Sequence, residues 1–291
     1  MPERPADPTP QPACEPSVGD AEWTILALDT GTSEIEQSML TFTHGFGTIA
    51  RIPRVIWVLR GPTTIVIDTS VPEAGRSAEF IGEHFSRDAH QKPANALRDA
   101  GVDPKDVEFV LLTHLHWDHA GNCDLFPEAT VLVQRAELRY AIAPGRFFRS
   151  AFLSPLSGWG TPPYLVPNLD TVQGETPIAP GVRVVPAPGH TPGSQAVIAQ
   201  TAMGSFCIAG DAISTYQNLD DDLPPGFHVN VDDAVDTVDR LRTIADHFLP
   251  SHDYRVFTDG PITQIGEAHL SKRPRVPAWA LRRDPWQPAS E

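Results

Sequence analysis

The sequence predicts an α/β protein, and three observations carry that prediction. Short apolar runs of strand character recur from Trp23 to Ala209. Helical stretches with recognisable ends lie between and after them. A buried-type run, Phe109-Val110-Leu111-Leu112, leads directly into a cluster of histidines.

Residues 1–20 hold six prolines among small and polar residues, too little apolar surface to offset the entropy of ordering, and are expected to form a flexible tail. The remainder, 21–291, is read as one catalytic domain. Trp23 to Leu28 opens it as a strand. Arg54 to Arg60 and Ile65 to Asp68 flank Gly61-Pro62 and read as a hairpin. Pro93 near a helix start and Gly101 just past its end bracket a short helix. Glu108 to Thr113 then reads as a strand buried on both faces. Thr130 to Val133 is a further strand, and Arg135 to Ile142 is helical in pattern.

Between 144 and 168 lie five prolines, three glycines and the aromatics Phe147, Phe148, Phe152, Trp159 and Tyr164, without a period. An irregular loop this long is either a pocket wall or a self-packed surface loop. Val182 to Pro186, Ala196 to Ala199 and Ser205 to Ala209 are short strands. From Asp232 to Phe248, Val235, Val238, Leu241, Ile244 and Phe248 recur every three or four positions, which predicts one amphipathic helix with acid in its first turn. The Pro- and Arg-rich segment from Lys272 is expected to lie on the domain as a tail.

The composition narrows the function. Of 291 residues, 41% are hydrophobic and 20% charged, the balance of a soluble globular protein, and no apolar run approaches the length of a bilayer span. With 22 basic against 37 acidic residues the net charge is −15, which opposes binding to nucleic acid. Three cysteines provide no disulfide framework, and the N-terminus lacks the apolar stretch of a signal peptide. A cytoplasmic enzyme is the expectation.

The chemistry concentrates in Thr113-His114-Leu115-His116-Trp117-Asp118-His119-Ala120-Gly121-Asn122. Four candidate ligands within six residues crowd imidazoles and a carboxylate in a way that is costly unless a cation sits among them. His114 and His116, two apart at a strand's end, point the same way; Asp118 and His119 lie further on and can address a second ion. One motif can thus serve two neighbouring metals.

These residues resemble the metallo-β-lactamase superfamily, and the resemblance continues through Pro188-Gly189-His190-Thr191-Pro192-Gly193, Gly210-Asp211 and Ser251-His252-Asp253. It implies a four-layer αβ/βα sandwich, two mixed β-sheets face to face with helices outside. It further implies that His114, His116 and His190 hold one ion, that Asp118, His119 and His252 hold the other, and that Asp211 bridges both. The ions would be zinc, with manganese or iron as alternatives.

Within the superfamily the sequence looks most like the N-acyl homoserine lactonases, through His-Leu-His-Trp-Asp-His-Ala-Gly-Asn, His-Thr-Pro-Gly-Ser-Gln and Ser-His-Asp. That implies a hydrolase opening a small cyclic ester with a metal-activated hydroxide. Other substrates the superfamily admits are a pyridoxolactone, a cyclic amide and a glutathione thioester; the last would draw on Lys272, Arg273 and Arg275, or on Arg282 and Arg283. A mononuclear iron persulfide dioxygenase is a further alternative. Besides binding metal, Asp118 is the candidate to accept the attacking water's proton and hand it to the leaving alkoxide. The tyrosine that the group carries three residues after the bridging aspartate is Ser214 here, and Tyr216, two further on, is the candidate for its carbonyl-polarising role. The expected partner is a small-molecule lactone, with no nucleic acid or membrane and with a homodimer as the candidate assembly.

Thr113, Asp68 and Asp253 are candidates to orient ligand imidazoles. For Thr113 and Asp253 a strand-end hydroxyl and a helix cap are the simpler readings. Phe46, Trp57, Phe147, Phe148, Trp159 and Tyr216 are candidates for a pocket wall, with core packing expected of most of them.

Overall fold

The structure is a computed structural model that describes residues 22–72 and 84–271. The expected tail at 1–20 and the basic segment from Lys272 lie outside the described residues.

Two mixed sheets form the centre. In the first, β1 (Thr24–Glu36), β2 (Ile49–Arg60) and β3 (Thr64–Ile67) run antiparallel to their neighbours, and β4 (His84–Ser86) adds to the far half of β1. From β3 the sheet continues in parallel through β5 (Val107–Leu111), β6 (Thr130–Gln134) and β7 (Leu169–Val172). The second sheet sets β8 (Thr176–Ala179), β9 (Val182–Pro186), β10 (Gln195–Thr201) and β11 (Gly204–Ile208) antiparallel, then adds β12 (His247–Leu249) in parallel. The last strand, β13 (Ile262–Gln264), returns to the outer side of β1.

Side-chain alternation sorts the core into layers. Trp57, Ile65 and Leu111 of the first sheet meet Val184, Val197, Phe206 and Ile208 of the second, and this seam binds the sheets face to face. Val58, Val66 and Val110 point the other way and pack on Ala96 and Leu97 of helix α1 (Pro93–Asp99). On the outer face of the second sheet, Ile198 and Cys207 pack against Val238 and Leu241 of a long helix (Val231–Ile244). The order is therefore helix, sheet, sheet, helix, the sandwich expected from the sequence. No helix among the described residues is long and apolar enough to cross a membrane.

Three expectations need correction. The helix anticipated over 232–248 spans Val231–Ile244 and stops where Ala245 turns extended, at φ −137° and ψ 149°. Phe248 then pairs with Cys207 as part of β12, its spacing having continued the helical period by coincidence. The strand read over 108–113 is not buried throughout, because Glu108 is exposed. The short strands at 84–86, 169–172, 176–179 and 262–264 carried no signal. Three of them are outermost strands of a sheet, and the fourth pairs only with β1. Few side chains there face a core.

Candidate metal centre

The loops that leave the C-terminal ends of β5, β9, β11 and β12 meet at one edge of the sandwich. They carry His114 to His119, His190, Asp211 and His252, and all seven side chains are at least nine-tenths buried. Two contacts lock the loops together. Thr113 O accepts from Gln195 N at 2.8 Å, joining the first sheet to the second. Glu137, on helix α2 (Arg135–Ile142), accepts from Leu115 N at 3.0 Å with one oxygen, and from Thr191 Oγ1 (2.6 Å) and Gly193 N (3.2 Å) with the other.

The outer nitrogen of most of the imidazoles is committed. His119 Nδ1 donates to Asp68 Oδ2 at 2.7 Å, His190 Nδ1 to Phe227 O at 2.6 Å, and His252 Nδ1 to Pro53 O at 3.1 Å. The Thr113 hydroxyl donates to Asp68 Oδ2 (2.8 Å), so it accepts from His114 Nδ1 (3.1 Å). Each of these bonds turns the ring's Nε2 inward.

The inward atoms form two groups. His114 Nε2, His116 Nδ1 and His190 Nε2 lie 2.9–3.2 Å from one another. Asp118, His119 and His252 form the second group, whose ligand atoms all lie within 4.8 Å of one another. Asp211 reaches both: Oδ1 is 3.2 Å from His119 Nε2 and 3.0 Å from His252 Nε2, and Oδ2 is 3.4 Å from His190 Nε2. Ser251 Oγ holds Asp211 Oδ1 from outside at 2.7 Å.

These residues fit a pair of divalent ions. Burial, followed by the neighbouring imidazoles, holds His114 and His116 well below the ordinary histidine range. Neutral rings with inward lone pairs cannot satisfy one another. His119 Nε2 is buried and makes no hydrogen bond among the described residues, although carboxylate oxygens of Asp211 and Asp118 lie 3.2 and 3.3 Å away. Such atoms surround a common point rather than pair as donor and acceptor. Burial alone would raise Asp118 and Asp211. Arg54 and His119 beside Asp118, and His252, His119 and His190 beside Asp211, hold both carboxyls well below their usual range, so both remain anionic.

The ligand cluster floors a cleft of about 810 Å³. Ile35, Met39, Ile49 and Ile52 form one wall, and Phe147 with Phe227 forms another. The irregular 144–168 segment thus contributes a pocket wall through Phe147, Ser150 and Ala151. Among the other aromatic candidates, Trp57 is core, Phe148 packs on Phe227, Trp159 packs beside Trp117, and Phe46 is exposed. His84 also borders the cleft.

Tyr216 is not brought to the ligand cluster. It starts the short helix Tyr216–Asp220, packs against the inter-sheet core and lies under the Arg255 guanidinium at 4.7 Å. Ser214 lines the cleft in its stead. Asp253 acts as the cap expected of it, accepting from Arg255 N at 2.9 Å. Thr113 does more than end a strand, since its hydroxyl links His114 to Asp68. Among the cleft residues that sequence reasoning missed are Phe227 and Arg54. Phe227 carried no signal, being far from any motif. Arg54 carried one, a lone guanidinium inside the apolar strand Ile52 to Leu59.

Residues 51–251 match the metallo-beta-lactamase superfamily, and the chain belongs to that superfamily. It is 31% identical to the N-acyl homoserine lactonase AttM of Agrobacterium fabrum over 248 residues, covering 80% of this chain and 91% of that one. It is 28% identical to the N-acyl homoserine lactonase AiiA of Bacillus thuringiensis subsp. kurstaki over 76% of this chain and 87% of the relative. Among solved structures, an N-acyl homoserine lactone hydrolase with N-hexanoyl-L-homoserine bound at its catalytic metal centre superposes with a TM-score of 0.67 at 23% identity, covering 80% and 94% of the two chains. The dizinc quorum-quenching lactonase AidC gives 0.65 at 15%, covering 86% and 96%.

Proposed function

We propose that the protein is a dinuclear metal-dependent lactonase that opens a small cyclic ester carrying an apolar substituent. The observation that supports this best is the double ligand set. His114, His116 and His190 stand on one side, Asp118, His119 and His252 on the other, and Asp211 lies between; five of the seven, His116, Asp118, His190, Asp211 and His252, line a cleft with apolar walls. The lactonase relatives, similar over most of their length, point the same way.

When bound, two divalent ions, zinc in this proposal, supply Lewis-acid polarisation and an acidified water. The chain's own groups do the rest. Asp68, Phe227 and Pro53 orient the rings of His119, His190 and His252 so that each turns its Nε2 inward. Asp118 carries a proton from the attacking water to the ring oxygen released when the ester bond breaks. Ile35, Ile49, Ile52 and Phe147 exclude water from the substituent. The unit that acts is the domain from residue 21, working in the cytoplasm.

The test pairs metal analysis with a substrate panel. Protein loaded with zinc, manganese or iron is assayed on lactones of graded chain length, cyclic amides and thioesters. Two ions per chain and lactone opening without oxygen uptake are expected. One iron with oxygen consumption on a persulfide, or turnover confined to thioesters, would overturn the reading.

A further inference from the structure

Arg54 is the one Lys or Arg among the described residues that line the cleft. It is 3% exposed, and burying a guanidinium is unfavourable unless its charge and donors are matched. Its contacts include Nε donating to Ser33 Oγ at 3.0 Å, Nη1 donating to Asp118 Oδ2, and Cζ 5.0 Å from the centre of the Trp117 ring. The same Nη1 lies 3.4 Å from His252 Nε2. The cation therefore stands beside Asp118 and His252 and borders the cleft.

No tyrosine lines this cleft among the described residues, and the other neutral hydroxyls there, Ser150 and Ser214, are weaker donors than a cation. Ester hydrolysis requires stabilisation of the oxygen that takes up negative charge as the carbonyl is attacked. We propose that Arg54 is a catalytic residue that donates to this oxygen. The inference rests on the lactonase reading of the site.

The step balances without further reagents. The water oxygen bonds to the carbonyl carbon, and the carbonyl π pair moves to the oxygen facing Arg54. Collapse of that oxyanion expels the ring oxygen, which takes the proton held by Asp118, leaving a hydroxy acid. Arg54 stays protonated throughout and acts only as a donor, as a guanidinium must near neutral pH.

The experiment measures kcat, KM, ions per chain and affinity for the ring-opened product in wild type, Arg54→Gln and Arg54→Lys. Loss of one oxyanion donor predicts a kcat lower by about 100-fold in Arg54→Gln. Ion content and product affinity should change by less than about three-fold, and Arg54→Lys should regain roughly ten-fold. Ser33→Ala, which frees the guanidinium plane while keeping its charge, should lower kcat several-fold and serves if Arg54→Gln does not fold. Unchanged kcat in these variants overturns the proposal. So does a loss that follows ion content and is restored by added metal, which would make Arg54 only a positioning group for Asp118. A wild-type protein inactive on every lactone would instead overturn the functional reading itself.

Discussion

Asp68 Oδ2 accepts from His119 Nδ1 at 2.7 Å and from Thr113 Oγ1 at 2.8 Å, and its other oxygen accepts from Thr113 N at 2.7 Å. One buried carboxylate thereby orients His119 directly and His114 through the threonine hydroxyl. Asp68 does so from a left-handed backbone, φ 60°, immediately after β3. An Asp68→Asn amide offers a donor where one of these acceptors stood. Partners of ligand imidazoles typically contribute about 10- to 100-fold in metal affinity. The variant is expected to lose ions to a competing chelator at correspondingly lower chelator concentration while keeping its fold. Equal retention in the two proteins would show that Asp68 serves only the strand end.

Glu137 provides a pH signature. Burial raises its carboxyl to about 7, against hydrogen bonds from Thr191, Leu115 and Gly193 that lower it. A carboxyl whose pKa is higher folded than unfolded stabilises the fold below the unfolded value of 4.5, and that contribution is lost as pH rises toward 7. His114 and His116 act oppositely: with folded pKa values depressed below 6.5, they favour the fold above pH 6.5 and cost stability below it. Comparing metal-free wild type with Glu137→Gln by denaturant unfolding at several pH values cancels the histidine part. The gap between them should be widest near pH 4.5 and narrow as pH approaches 7. A gap independent of pH would mean that Glu137 is not titrating in this range.

How far the sequence discloses this site follows from where the interactions sit. His114, His116, Asp118 and His119 are contiguous, so their convergence was legible from spacing alone. His190, Asp211 and His252 have no local pattern and were reached through the resemblance of their motifs. Asp68 stayed ambiguous because its role exists only when residues 113 and 119 arrive beside it. Arg54 meets Asp118 across 64 positions, a pairing that no local period announces. Tyr216 misled because the chain enters a helical turn at that residue, which directs the ring into the inter-sheet core.

Gly193 tests the packing of the two ligand loops. A Cβ there would lie 2.0 Å from Glu137 N and 2.4 Å from its Cα, backbone atoms at the start of a helix that cannot yield locally. Gly193→Ala should destabilise by about 2 kcal/mol or more through overpacking. In a domain of this size that is a fall of roughly 4–8 °C in Tm. Gly266→Ala, where a Cβ meets nothing within 4 Å, is the control and should leave Tm unchanged. Equal behaviour of the two alanine variants would mean that the loop accommodates the methyl group by moving away from α2.

Asp118 has two separable duties, and the contact with Arg54 allows them to be told apart. As a ligand it needs one oxygen aimed at His119 and His252; as a proton carrier it needs a carboxylate that can take and return a proton. Asp118→Asn keeps an oxygen of the same size, which can still accept from Arg54, but abolishes the second duty. Proton transfer by a positioned side chain contributes typically 10²- to 10⁴-fold to rate. Turnover is therefore expected to fall by about 100-fold or more, with ion content dropping far less. If ions and turnover decline together, and excess metal restores both, Asp118 is a ligand alone and the proton leaves by a route that does not include its carboxylate.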